Sequence, residues 1–269
     1  MSRKNRLIIP IFLPFGGCPG QCVFCDQKGL TGTAAMPGLA EVAATVEAYL
    51  STWRHGGRIE IAFYGGSFTA LPEAEQRRYL GAAYRYVSEG RAHSIRVSTR
   101  PDSISKEKVE LLRSYGVDTV ELGAQSMSDE VLSLSGRGHT SAASVAAVQT
   151  LKAAAMLTGV QIMPGLPGDT AASVIETVDK VIGLSPEFVR IYPAVVLKDT
   201  GLHRLYLAGA YRPWEMADMV AVCREAALRF KGAGIPIIRM GLQATDGLMQ
   251  RLVAGPYHPS FRQLVEQGV

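Results

Sequence analysis

Short apolar runs alternate along the chain with longer stretches in which apolar positions recur every three or four residues. The first pattern predicts strands and the second amphipathic helices. Residues 7–12 form the first run, and Pro10 within it points to an edge or terminal place in a sheet. Further strands are predicted over 59–64, 94–98, 117–122, 160–163 and 188–196, with helical periodicity over 39–53, 72–87, 105–115, 140–156 and 170–182. Ser105 suits an N-cap, Pro72 a first turn and Gly116 a C-terminal stop. After residue 196 the rhythm changes. An Arg-, Tyr- and Leu-rich stretch leads to a helix over 214–230 and a last strand over 235–238.

Strand–helix units in series call for parallel strands joined by right-handed crossovers. The expected fold is α/β, a partial (βα)6 TIM-like barrel of parallel strands with a C-terminal extension. Residues 1–215 would make the core barrel, and 216–269 an extension packed on it within one globular unit. Gly or Pro follows most of the strands, and in such sheets that edge is where ligands bind.

Composition narrows the class. At 269 residues, 47% hydrophobic and 19% charged, the chain can fill one sizeable core, which excludes disorder. Four cysteines are too few for a disulfide scaffold. A net charge of +4 allows a mild preference for anionic partners but no basic nucleic-acid arm. No apolar run reaches the ~20 residues of a membrane-spanning helix. Arg3, Lys4 and Arg6 followed by apolar residues 7–13 imitate a secretion signal, but the stretch is short and Pro10 and Pro14 interrupt it. A cytoplasmic protein with reduced thiols is expected.

Three of the cysteines carry the candidate chemistry. Cys18, Cys22 and Cys25 lie in an x3/x2 spacing in the loop after the first strand, where Gly16, Gly17 and Gly20 let the backbone fold tightly. Cysteine thiolates hold iron–sulfur clusters, and a four-iron cluster takes four ligands. The fourth cysteine, Cys223, sits in a helical pattern and reads as a small buried hydrophobe. One iron would stay open, and an open metal position signals chemistry rather than structure. A zinc site is the competing reading. Structural zinc closes with paired Cys or His spacings, whereas His55, His93, His139, His203 and His258 stand singly.

The cysteine spacing, with Phe24 just before the last cysteine, resembles the signature of the radical S-adenosylmethionine (SAM) enzymes. The resemblance implies a [4Fe–4S] cluster on Cys18, Cys22 and Cys25 whose open iron chelates SAM. Reductive cleavage would then give a 5′-deoxyadenosyl radical, with an electron donor such as ferredoxin or flavodoxin. It places Phe24 among the cofactor-binding residues. Gly65, Gly66 and Ser67 match the Gly-Gly motif that contacts the SAM amino group. Gly123-Ala124-Gln125-Ser126 is similar to the motif of the branch shared with oxygen-independent coproporphyrinogen oxidase. Arg137, twelve residues beyond Gln125, matches the arginine that pairs with the SAM carboxylate there. Ser98 and Gln161 stand where that family often has ribose-contacting acids, so the chain departs from the pattern at both.

A narrower likeness also emerges. Thr99-Arg100-Pro101-Asp102, Glu121 to Ser126, Arg137-Gly138-His139-Thr140, and Ile191-Tyr192-Pro193 with Thr200-Gly201-Leu202 resemble the radical domain of the Elongator catalytic subunit over about residues 8–215. That protein modifies the wobble uridine of transfer RNA. It spaces its cysteines more widely and carries an acetyltransferase domain, for which about fifty residues here leave no room. The likeness implies modification of an RNA base, a tRNA being the first candidate, without the acetyl route. Lys28, Arg100, Lys198, Arg204, Arg212 and Arg239 are candidate phosphate contacts. A radical SAM enzyme for a small metabolite or peptide, and a non-catalytic Fe–S or RNA-binding module, are the competing readings. In the tail, Tyr257 and His258 could reach the substrate or simply pack.

Overall fold

A computed structural model describes residues 6–20, 22–26 and 35–267. Arg3, Lys4 and Lys28 therefore lie outside the described residues. Seven strands form one sheet: β1 (Arg6–Leu13), β2 (Arg58–Gly65), β3 (Ser94–Thr99), β4 (Val117–Gln125), β5 (Leu157–Ile162), β6 (Phe188–Ile191) and β8 (Ile237–Met240). Each pairs in parallel with the next, so the sheet follows chain order and curls into a half-barrel. A separate antiparallel ribbon joins β7 (Val196–Leu197) to β9 (Leu252–Ala254).

The strand alternation divides the sheet into two faces. Ile9, Ile11 and Leu13 of β1, Ile61 and Phe63 of β2, and Ile95 and Val97 of β3 are buried in the main hydrophobic core. The apolar stripes of α1 (Leu39–Thr52), α2 (Glu73–Ser88), α3 (Lys106–Ser114), α5 (Ser141–Ala153) and α6 (Ala171–Leu184) cover that face. The shorter α4 (Asp129–Leu134) follows β4. Ser105 caps α3 by accepting from the Lys108 N–H, and Gly116 ends it with φ +70°, as their positions in the sequence predict.

The opposite, concave face is polar. Arg96 of β3 donates to Glu60 of β2 (2.8 Å) and Glu121 of β4 (2.6 Å), and Arg190 of β6 donates to Glu121 (3.0 Å). Arg6 and Arg58 close the network on Glu60. The Arg96 side chain is 1% exposed and Glu60 0%. Burial pushes the Glu60 and Glu121 carboxyls up, but the surrounding guanidinium groups outweigh it and hold both below the usual carboxylate range. Gly159 lacks a side chain at the point the Phe188 ring fills, and Arg96 lies over that ring at 5.1 Å. The lower half of the barrel is thus plugged, and only the end carrying the strand C-termini is open to chemistry.

Two predicted strands differ from the structure. The 188–196 run splits into β6 and β7 because Pro193 has no N–H to continue the ladder. The 235–238 strand starts two residues later, beyond Pro236. It also joins the main sheet beside β6, so the segment after residue 216 supplies a seventh strand. Its helix α8 (Met216–Gly232) packs on α6 within the main core, and Cys223 is buried there as expected. Burial pushes the Cys223 thiol up to about 12, which suits packing and not ligation.

Candidate functional site

Two glycine pairs lock the cysteine loop onto the sheet edge. The loop leaves β1 at Leu13, whose carbonyl accepts from the N–H groups of Gly16 and Gly66, each at 3.0 Å. The Ser67 N–H in turn donates to the Gly16 carbonyl at 2.7 Å. A Cβ at Gly66 would stand 2.1 Å from the Gly16 carbonyl oxygen, and one at Gly17 (φ +68°) 2.4 Å from backbone atoms of Ser67 and Leu71. Backbone lies against backbone here, and any side chain would force it apart.

Farther along, the Val23 N–H donates to the Ser135 carbonyl (3.0 Å) and the Val23 carbonyl accepts from the Leu202 N–H (2.6 Å). Phe24 is half-buried against Val131, Leu166, Ala194, Val196 and Leu202. Asp26, directly after Cys25, pairs with Arg251 from the end of α9 (Asp246–Arg251). Arg251 also donates to the Lys198 carbonyl at 2.6 Å and lies 3.3 Å from Asp199.

The three thiols are half-buried and line one cleft of about 460 Å³, whose far wall is Asp199, Thr200, Gly201 and Arg204. Among the described residues no three His, Cys, Asp or Glu side chains are gathered tightly enough to hold a single ion. The sulfurs share a cleft without converging on a point. That arrangement is compatible with a multi-iron cluster, in which each thiolate holds a different iron.

Behind the cysteines lie cations. Arg137, 5% exposed, donates through Nη1 to the Cys22 Sγ at 3.2 Å and through Nη2 to the Gly123 carbonyl at 2.5 Å, while its Nε is buried without a partner. Arg100 is buried in a two-pronged pair with Asp102 (3.0 and 2.9 Å). Burial works against its charge, yet Asp102 and the Cys22 and Cys18 thiols hold its pKa above the ordinary value. Arg100 is thus enclosed beside the cysteines rather than spread on the surface as the sequence suggested. His139 is buried, and burial followed by the Arg137 charge pushes its pKa down. Its Nε2 has no partner among the described residues. An anionic group seated here would meet two guanidinium groups and unfilled donor positions.

The remaining predicted contacts lie along the same rim. Ser98 lines a narrow cleft with Tyr64 and Gly66. Gln125 takes φ +69° at the end of β4, and its Oε1 accepts from Gln161 Nε2 at 3.2 Å. Gly65 takes φ +104°. The Ser67 hydroxyl is fully buried, 2.9 Å from the Thr99 hydroxyl and accepting from the Arg100 N–H at 3.1 Å. The loop and the ends of β2 to β5 therefore bring the candidate residues to one edge. Tyr257 instead packs with Val195, Leu197 and Leu248, and His258 accepts from the Ser260 N–H at 3.1 Å.

Sequence reasoning missed the Asp26–Arg251 pair and the enclosure of Arg100. An acidic residue directly after the last cysteine was the available signal for the first.

The family described as the Radical SAM superfamily matches residues 12–181, well over half of the chain. The chain belongs to the radical SAM superfamily. A second match, to the Radical_SAM C-terminal domain, covers residues 186–269. Members of this superfamily bind a [4Fe–4S] cluster and SAM, and this radical SAM enzyme carries the half-barrel of its solved neighbours.

Among relatives, the tRNA uridine(34) acetyltransferase of Methanocaldococcus infernus is 26% identical over 250 residues, covering 78% of this chain and 47% of that protein. Human Elongator complex protein 3 is 26% identical over 228 residues, covering 77% of this chain and 41% of that protein. The chain thus spans less than half the length of these relatives. The archaeal Elp3 structure from Methanocaldococcus infernus, lacking its residues 1–46, overlays with a TM-score of 0.78 at 20% identity. It covers 99% of this chain and 63% of that one. Among the described residues no helix is long and apolar enough to cross a membrane.

Proposed function

We propose that this radical SAM enzyme holds a [4Fe–4S] cluster on Cys18, Cys22 and Cys25 and acts on an RNA base, a tRNA being the first candidate. Bound there and reduced by a donor such as ferredoxin or flavodoxin, the cluster would supply the electron that cleaves SAM to methionine and a 5′-deoxyadenosyl radical. The chain's own residues do the positioning. Arg137 is the observation that carries the reading. One guanidinium reaches Cys22 and the end of β4 together, so its planar fork stands at the cysteine loop, where it can meet a carboxylate.

Gly65 and Gly66 let the end of β2 lie directly against the cysteine loop, and the Gln125–Gln161 amide pair offers neutral hydrogen-bonding groups for a ribose. Phe24 and its apolar neighbours wall the cysteine loop from solvent on one side. RNA as the substrate class is supported by the tRNA-directed names of the relatives and by the net charge of +4.

Anaerobic reconstitution tests the chemistry. A four-iron cluster and reductant-dependent 5′-deoxyadenosine are expected, and the absence of both would overturn the enzyme reading. The substrate is tested by the nucleoside profile of RNA from a deletion strain. A missing modified nucleoside is expected, and an unchanged profile together with no salt-dependent RNA binding would overturn the RNA assignment.

A further inference from the structure

We infer that the two edge strands of the half-barrel form a clamp on the substrate RNA, with Phe12 stacking on the target base and Arg239 meeting a phosphate. The inference rests on the RNA reading above and names the residues that seat the base.

β1 and β8 are the outermost strands of the seven-stranded sheet, and among the described residues no strand pairs with their outer sides. Phe12 lies at the C-terminal end of β1, one residue from the start of the cysteine loop. It alternates with the core-facing Ile11 and Leu13 and is therefore on the concave face, 48% exposed. Its in-register neighbour is Tyr64 of β2, with ring centroids 6.3 Å apart. The Tyr64 ring is held rigidly, because its hydroxyl donates to Glu121 (3.2 Å) and accepts from Arg190 (3.3 Å). A large apolar ring exposed beside a fixed one, at the rim of a reaction site, is a stacking surface for a planar group.

The opposite edge supplies charge. Arg239 of β8 pairs in register with Arg190 of β6, which places it on the same concave face. Arg190 is neutralised by Glu121, whereas Arg239 donates only to Gln243 Oε1, at 3.4 Å, and has no carboxylate partner among the described residues. Below this rim the Glu60–Arg96–Glu121 plug closes the barrel, so a substrate cannot descend into it. It must be offered from the side as a flat group on a larger anionic body. A base turned out of an RNA strand has that shape and charge.

The test uses the cluster-loaded chain and a fluorescein-labelled oligouridylate, with affinity followed through a salt titration. Phe12→Leu keeps an apolar side chain but loses the ring, and binding should weaken about 5- to 150-fold at every salt concentration without a change in salt slope. Phe12→Tyr should bind like the wild type. Arg239→Gln should lower the salt slope by about one. Equal binding by the Leu and Tyr variants, or an unchanged slope for Arg239→Gln, overturns the clamp while leaving the RNA reading intact. Absence of salt-dependent binding by the wild type overturns the clamp, and together with an unchanged nucleoside profile it overturns the RNA reading as well.

Discussion

The Arg137 guanidinium stands 3.2 Å from the Cys22 sulfur while its second nitrogen holds the Gly123 carbonyl at the end of β4. The pair joins the cysteine loop to the strand edge that carries Gln125, so one side chain sets the position of both. Arg137→Lys keeps a charge but loses the planar fork. Binding of SAM, measured by equilibrium dialysis on the iron-loaded protein, should weaken about 10- to 100-fold. Affinity equal to the wild type would remove Arg137 from the SAM site.

The Asp26–Arg251 pair fastens the loop from its other end. Groups that orient a ligand-bearing segment typically contribute about 10- to 100-fold to metal affinity. Arg251→Ala and Asp26→Asn should each lose iron to a chelator about 10-fold faster than the wild type. The exchanged pair, Asp26→Arg with Arg251→Asp, should recover part of that loss. Unaltered iron release in both single variants would show that the latch does not reach the cysteines.

Glycine substitutions separate close approach from mere flexibility. Gly66→Ala would put a Cβ 2.1 Å from the Gly16 carbonyl oxygen, a collision with backbone that no rotamer relieves. A loss of about 2 kcal/mol or more in stability, with poor iron incorporation, is expected. Gly183, in the last turns of α6, meets nothing within 4 Å. Gly183→Ala should stabilise by about 0.5–1 kcal/mol in the same denaturation assay. The reverse ranking would contradict the packing described for the loop.

Asp169 brings a pH dependence. Burial pushes its carboxyl up to about 6, against the pull of the Ser173 hydroxyl and the Gly165 and Leu166 N–H groups. An acid whose folded pKa exceeds its unfolded value binds more protons when folded, so stability falls as pH rises from 3.8 towards 6. Asp169→Asn should therefore raise the melting temperature at neutral pH, by the equivalent of about 1–3 kcal/mol, and leave it unaltered in acid. Parallel melting curves across that range would refute the assignment.

Local pattern made much of this fold legible. The short apolar run over 59–64 marked β2, and Ser105 and Gly116 marked the ends of α3, because such signals depend on neighbours along the chain. Pro193 could have been read as a strand break, yet the apolar residues around it masked it. The concave network was less visible. Glu60, Arg96, Glu121 and Arg190 each appear as one charge inside an apolar run, and only the curl of the sheet brings them together. Asp26 and Arg251 lie 225 residues apart, beyond the reach of any periodicity. Arg100 looked like a surface cation because its partner Asp102 is fixed by a turn and not by spacing on a helix or strand.

The strand order has a consequence for how the protein is made. β6 pairs with β8, so the sheet gains its last strand only after α7 (Gly201–Leu207) and α8 have been synthesised, and Arg251 comes later still. The three thiols leave the ribosome long before Arg251, the residue that latches their loop. In that interval the cysteine loop stands without its latch, beside a sheet that still lacks its last strand.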